Sequence, residues 1–237
     1  MQESPLQYLP LTLPFFLLLV GIFVGLVIYI EIRALQYAFV RAGLDARMAL
    51  FLLFASLIGS YINIPIAAMP PEAVVSGGQI TVFGMQYTVP VVVEWPGTVV
   101  AINVGGAVIP ILVSLYLLFK YDLWIRAAIA TACVALIAHR LAIPVHGVGI
   151  AEPVFVPPLA TAVVAMLISR TYAAPLAYVS GSLGVLIGAD LLNLDKVRGL
   201  GAPVASIGGA GTFDGIFLTG VIAVLLASLA APRPKPA

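Results

Sequence analysis

Apolar positions along this chain fall into seven long runs separated by short polar breaks, with neither strict alternation nor a heptad pattern. A helix that crosses a bilayer needs about 20 largely apolar residues. The runs predict helices over Pro10–Ile32, Met48–Met69, Gly97–Phe119, Arg126–Ile143, Pro157–Ser169, Ala174–Leu194 and Val204–Ala231. The fifth is short, and its start could lie inside the proline-rich run before it. Together they describe an all-α polytopic membrane protein of about seven transmembrane helices, in one integral membrane domain over residues 1–237.

Two connections depart from this pattern. Between Pro70 and Pro96 the chain turns to β-branched and aromatic residues divided by Gly84, and Gln79–Trp95 reads as two short strands around a tight turn. Open strands cannot lie in lipid with unpaired backbone groups, so a small outer hairpin is expected over residues 70–96. The second, PVHGVGIAEPVFVPP at 144–158, is too apolar and too rich in proline and glycine for an ordinary loop. A re-entrant or interfacial segment resting on protein is expected there. The C-terminal residues 232–237 read as a polar tail.

Composition agrees: 62% of residues are apolar, 9% are charged and mean hydropathy is +1.15, against about 25% charged in soluble domains. A multi-pass protein of the cell membrane is expected, with the lipid bilayer as its surroundings. The net charge of +1 and the absence of a basic cluster give no sign of a nucleic-acid partner. Cys133 is the single cysteine, expected as a small buried residue, and it excludes an internal disulfide framework. No positive charge precedes the first apolar run, so no cleavable signal peptide is expected. With the N-terminus outside and the C-terminus inside, eight basic residues fall on the inner side and three on the outer, in accord with the positive-inside rule.

The polar residues within the runs gather toward the outer ends. Asn63 and Asn103 each lie about six residues from an outer helix end, roughly 9 Å deep. Asp190 lies near the outer end of the sixth run, followed by Asn193, and Asp214 lies about ten residues into the seventh. Asp190 and Asp214 are therefore the candidate coupled pair, binding an ion or working as acid and base. Asn63, Asn103, Asn193, Gly208, Gly209, Gly211 and Thr212 are candidate ligand-binding positions, with GGAG at 208–211 a possible helix break. His146, Glu152 and Arg140 form a second tier. Helix packing is the competing explanation for the glycines, and interhelical hydrogen bonding for the asparagines. INIPI at 62–66 and AINVGGAVIPI at 101–111 echo each other, each placing an asparagine ahead of an Ile-Pro. No cofactor and no metal site is expected.

SYINIPI, AINVGGAVIPI, HGVGIAEPVFVPPLA, LAYVSGSLGVLIGADLLNL and GAPVASIGGAGTFDGIFLTG resemble the prokaryotic membrane-protein family catalogued as domain of unknown function 1614. The resemblance implies a polytopic membrane protein of bacteria and archaea and brings no reaction with it. Three readings stand beside it: proton- or cation-linked transport, an intramembrane aspartyl protease, and a non-catalytic membrane scaffold. Acid pairs serve as proton relays in membranes, and hard cations favour oxygen ligands. The protease arrangement is similar to that of signal peptide peptidases, but the acids here read GAD and TFDG in place of YD and GxGD. No GxSxG or HExxH occurs.

Overall fold

The computed structural model describes residues 13–82, 85–145, 149–198, 200–209 and 215–230, with backbone alone for 72–93. Gly84, His146, Gly211, Thr212, Asp214 and the tail at 232–237 lie outside the described residues. All seven apolar runs contain a helix. Among the described residues, four helical stretches are long and apolar enough to cross a membrane: Leu13–Ala42, Val104–Tyr121, Trp124–Leu141 and Ala173–Val197. Three are shorter: Ala46–Gly59, Val156–Ile168 and Gly215–Leu229.

Helix α1 (Leu13–Ala42) is apolar on all sides, and its most hydrophobic 18-residue window buries nothing against the rest of the chain. That is how a helix solvated by lipid reads. Only its last turns join the bundle, through Gln36, Ala38, Phe39, Arg41 and Ala42. Gly43 (φ +117°) turns the chain into α2 (Ala46–Gly59), whose first turn is capped by the Asp45 carboxylate accepting from the Arg47 N–H at 3.1 Å.

The second expected helix stops ten residues early. Beyond Gly59 the chain forms strand β1 (Asn63–Ala68). Pro65 has no N–H and cannot extend a helix, whereas an edge strand with an irregular register accepts it. β1 is that edge strand, and its register shifts between Pro65 and Ala67. The hairpin expected over 70–96 is present as β2 (Glu72–Val82) and β3 (Met85–Trp95), antiparallel and in continuous register.

The third run also begins as a strand, β4 (Val99–Asn103), before a π-helical turn at Val104–Val108 leads into α3 (Ile109–Tyr121). β4 is the centre of a three-stranded sheet. β1 pairs with it antiparallel, and β7 (Val204–Ile207), the start of the seventh run, pairs with it in parallel. The fold is thus mostly helical with a small sheet, rather than all-α. The runs at 48–69, 97–119 and 204–231 each spend part of their length as a strand because β-branched Val and Ile, with Pro65 and Gly208–Gly209, favour extended or broken backbone there.

Helix α4 (Trp124–Leu141) follows a turn at Asp122 (φ +48°). In the 144–158 connection, β5 (Ile143–Val145) and β6 (Gly149–Ala151) form a short antiparallel pair ahead of α5 (Val156–Ile168). Pro157 and Pro158 fall in the first turn of α5, where no N–H is needed. Helix α6 (Ala173–Val185) is the axis of the bundle, with Leu183 alone of its residues not buried. Its glycine stripe serves two neighbours. A Cβ on Gly184 would meet Val134 of α4 at 2.6 Å, and one on Gly181 would meet Thr161 of α5 at 3.1 Å. Past Val185 the helix loosens into a π turn at Leu186–Asp190 and a 3-10 helix at Leu191–Val197. Helix α7 (Gly215–Ala230) closes the bundle. Cys133 is exposed on α4, against the burial expected of it, because the buried face of that helix is the Ala127–Ala130–Val134–Ala138 stripe.

Where α2, the π turn after β4 and the loop after β7 meet, backbone touches backbone. A side chain on Gly105 would collide with the Ser56 carbonyl, and one on Gly106 with the Gly208 carbonyl. Gly106→Ala is expected to lower stability by about 1–3 kcal/mol, as overpacking does. Gly25→Ala on the exposed stretch of α1, where a Cβ meets nothing within 4 Å, is expected not to lower it. Thermal unfolding of the two variants in detergent measures the difference.

Candidate functional site

Asn63 and Asn103 lie not within helices but opposite each other in the β1–β4 pair. Asn103 is wholly buried at the strand-to-helix junction. Its Oδ1 accepts from the Gly106 N–H at 2.8 Å, capping the π turn. Its Nδ2 donates to the Ser60 carbonyl at 2.8 Å and to Asn63 Oδ1 at 3.1 Å. Asn63 is exposed, and its Oδ1 lies 2.7 Å from the Ser206 hydroxyl of β7, which also lies within reach of the Gly209 carbonyl. Ser56 adds a second tie, donating to the Gly105 carbonyl at 2.7 Å. The two sequence echoes therefore pair with each other, and their asparagines join the end of α2, the start of α3 and the loop ahead of α7.

Asp190 closes the π turn at the end of α6 and is half-buried. Its Oδ2 accepts from the Gly208 N–H at 2.7 Å, so a carboxylate fixes the glycine pair Gly208 (φ +96°) and Gly209 (φ +80°), both in the left-handed region. Asn193, wholly buried, does not join Asp190 but turns back on its own helix. Its Nδ2 donates to the Gly188 and Ala189 carbonyls at 2.8 and 2.9 Å, and its Oδ1 accepts from Lys196 Nζ at 2.7 Å. It satisfies carbonyls that the change from π to 3-10 geometry leaves over.

Two cavities meet at Asp190. One, of about 230 Å³, is lined by Asp190, Ser206, Gly209, Gly149 and apolar side chains. The other, of about 280 Å³, is lined by Asp190, Glu152, Thr219 and apolar residues of α5 to α7. Ile150 of β6 borders both. Glu152, ranked second from the sequence, is the carboxylate that shares a cavity with Asp190 among the described residues. Gly215, next in sequence to Asp214, lines the same cavity. Arg140 is exposed in the last turn of α4.

Of the residues singled out from the sequence, Asn63 and Asn103 come together, Gly208 and Gly209 join Asp190, and Asn193 stands apart as a structural cap. Ser206, Ser56 and Thr219 were missed. Single hydroxyls in apolar runs carry no pattern, although Ser206 does directly precede the Ile207–Gly208–Gly209 break.

The model of a family described as "protein of unknown function (DUF1614)" matches residues 57–226. The match covers the sheet, both cavities and α3 to α6, and leaves α1 and most of α2 outside it. No curated protein and no solved structure matches the chain.

Replacing Asn103 with alanine orphans the Gly106 N–H and the Ser60 carbonyl in a buried place, at about 1–3 kcal/mol for each group left unpaired. Asn193→Ala removes a donor from two carbonyls that belong to a helix end, and is expected to cost less, about 1 kcal/mol. Denaturation of the two variants side by side checks the order.

Proposed function

The chain belongs to the domain of unknown function 1614 family, and from that premise we propose that it is a multi-pass protein of the cell membrane that couples transport to the binding of a proton or small cation at Asp190. The observation that carries this reading is the position of Asp190, a half-buried carboxylate on the wall of two adjoining cavities, one of which it shares with Glu152. A carboxylate in a bundle this apolar is costly unless it is paired, hydrated or protonated, and such groups mark ion pathways in membranes. It stands where α6 ceases to be α-helical, and broken helices with an acid beside the break are a recurrent cation-binding arrangement. Hydroxyl and carbonyl oxygens of Ser206, Gly209 and Thr219 near the acids add neutral oxygen donors. Asp214, the other acid of the pair expected from the sequence, precedes Gly215 by one residue and lies outside the described residues.

The seven-span, N-terminus-outside arrangement is part of the same proposal. It is supported by the gathering of Arg41, Lys120 and Arg126 at the end of the bundle away from the sheet. There Lys120 donates to the Gly43 carbonyl and Arg126 lies 6.0 Å from the Tyr172 ring centroid, beside Tyr121. Arg41 donates to the Ser228 carbonyl near the end of α7. On the positive-inside rule that end faces the cytoplasm and the sheet faces out.

In proteoliposomes, wild-type protein is expected to carry a proton or monovalent-cation flux that Asp190→Asn lowers at least tenfold while the fold survives. Glu152→Gln is expected to lower it less. Absence of flux, together with cleavage of a reporter helix that Asp190→Asn abolishes, would replace transport with proteolysis. Loss of thermal stability without either activity would leave a scaffold.

The topology has its own test. On a Cys133→Ser background, a cysteine at Lys196 is expected to react with a membrane-impermeant maleimide from outside, and one at Asp122 only after permeabilisation. The reverse pattern overturns the orientation.

A further inference from the structure

We propose that the 280 Å³ cavity continues, through a bound water, into the interface of α5, α6 and α7, with Thr161 and Thr219 holding that water beneath Asp190 and Glu152. The inference deepens the proton- or cation-linked reading: it names water as the ligand that connects the carboxylates to the interior.

Thr219 lines the cavity and is itself 2% exposed. Pro157 lines it too, and Thr161 lies one helical turn further along the same face of α5. Thr161 is 0% exposed, and its hydroxyl finds no hydrogen-bond partner among the described residues. A buried hydroxyl left in that condition forfeits its hydration, and the common resolution is an ordered water with two or more polar partners. Both threonines converge on Gly181: a Cβ there would lie 3.1 Å from the Thr161 methyl and 3.4 Å from the Thr219 methyl.

The opposing glycine, Gly220, leaves room for Ser182, whose hydroxyl would lie 2.6 Å from a Cβ at that position, with the Tyr178 ring 3.7 Å from the same point; the Ser182 hydroxyl, like that of Thr161, has no hydrogen-bond partner among the described residues. Four hydroxyl-bearing residues, Thr219, Thr161, Ser182 and Tyr178, thus surround the Gly181–Gly220 contact where α5, α6 and α7 meet, between helices that otherwise bury Ala162, Ala165, Val179 and Val224. This layer ends at an aromatic group. The Phe39 ring packs 5.5 Å from Tyr178 and 6.4 Å from Phe217, centroid to centroid. Water reaches the hydroxyl layer and does not cross the rings in this conformation.

Hydroxyl-radical footprinting of the purified protein in nanodiscs tests the proposal, because radicals formed on a bound water modify the side chains beside it. Tyr178, only 4% exposed, is expected to be modified in the wild type. Modification is expected to fall at least threefold in Thr161→Val and to persist in Thr161→Ser. Tyr121, 5% exposed at the other end of the bundle, is the internal reference and is expected to stay constant. Equal modification of Tyr178 in wild type and Thr161→Val, or none in wild type, overturns the proposal. Melting temperatures of both variants show that they fold, and Thr219→Val takes the place of Thr161→Val if the latter does not. The readout is independent of flux. Footprinting as expected in a protein that transports nothing removes the transport reading and leaves the water site, and flux with a dry Tyr178 does the opposite.

Discussion

Backbone pairing is the constraint on which the rest of this structure depends. A chain that leaves helical geometry among apolar segments exposes N–H and C=O groups that lipid cannot satisfy. Three of the seven runs here do so, at β1, β4 and β7, and they satisfy one another as a single sheet with β4 in the middle. One strand alone would leave both edges open. Asn103 then completes at the junction what the ladder cannot: it caps the Gly106 N–H and takes up the Ser60 carbonyl where strand gives way to helix. The glycines at 105, 106 and 208 follow from the same need, since the three broken ends must approach to backbone contact before one amide side chain can serve two of them.

This explains what could be read from the residues and what could not. Hydrophobic runs report burial in an apolar medium, and each of them contains one of the α-helices found among the described residues. They do not distinguish helix from strand once both are apolar, so 63–68, 99–103 and 204–207 were expected as helix and form a sheet. Pro65 and the Gly208–Gly209 pair held the information, but a single proline or glycine pair is compatible with a kinked helix. The hairpin at 72–95 was legible because its β-branched stretch is longer than any helix-compatible alternative and is divided at Gly84. Asn63 and Asn103 were expected within two helices and instead face each other in the β1–β4 pair, a pairing implicit in the echo between INIPI and AINVGGAVIPI. The register that joins them belongs to tertiary structure. Asn193 shows the limit of the argument from spacing. Its distance from Asp190 suggested a shared site, but a helix that changes its period redirects the side chain onto its own carbonyls.

The broken ends and the candidate site are one feature seen twice. Asp190 occupies the last position of the π turn, and its carboxylate fixes the Gly208 backbone, which in turn lies against Gly106. A charge change at Asp190 therefore acts on a joint that also involves β7 and the start of α3. The wall of the cavities and the packing of the three broken ends draw on the same hydrogen bond. That coupling is available only because the segment Ser206–Gly209 belongs at once to the sheet, through Ile207, and to the cavity wall, through Ser206 and Gly209.

The division of labour among the helices follows from composition. Helix α1 carries its hydrophobicity on every side and finds in lipid the only solvent it needs, joining the protein by its last turns alone. Helix α6 is the reverse case. It buries small residues and glycines on almost every side, so α4, α5 and α7 close around it, and the hydroxyls of Ser180 and Ser182 become interior groups. Ser180 is satisfied by the Leu176 carbonyl one turn back at 2.7 Å, whereas Thr161, facing the same axis, has no such bond among the described residues. Ser182 shares the condition of Thr161, and so do Ser114 on α3 and Ser228 on α7, so the unpartnered hydroxyls extend beyond the side of the bundle where the cavity ends. Among the described residues, one line of polar groups runs from the sheet joint through Asp190 and Thr219 to Thr161 in the packed centre of the bundle, and a separate set, Arg41, Lys120 and Arg126, gathers at the opposite end.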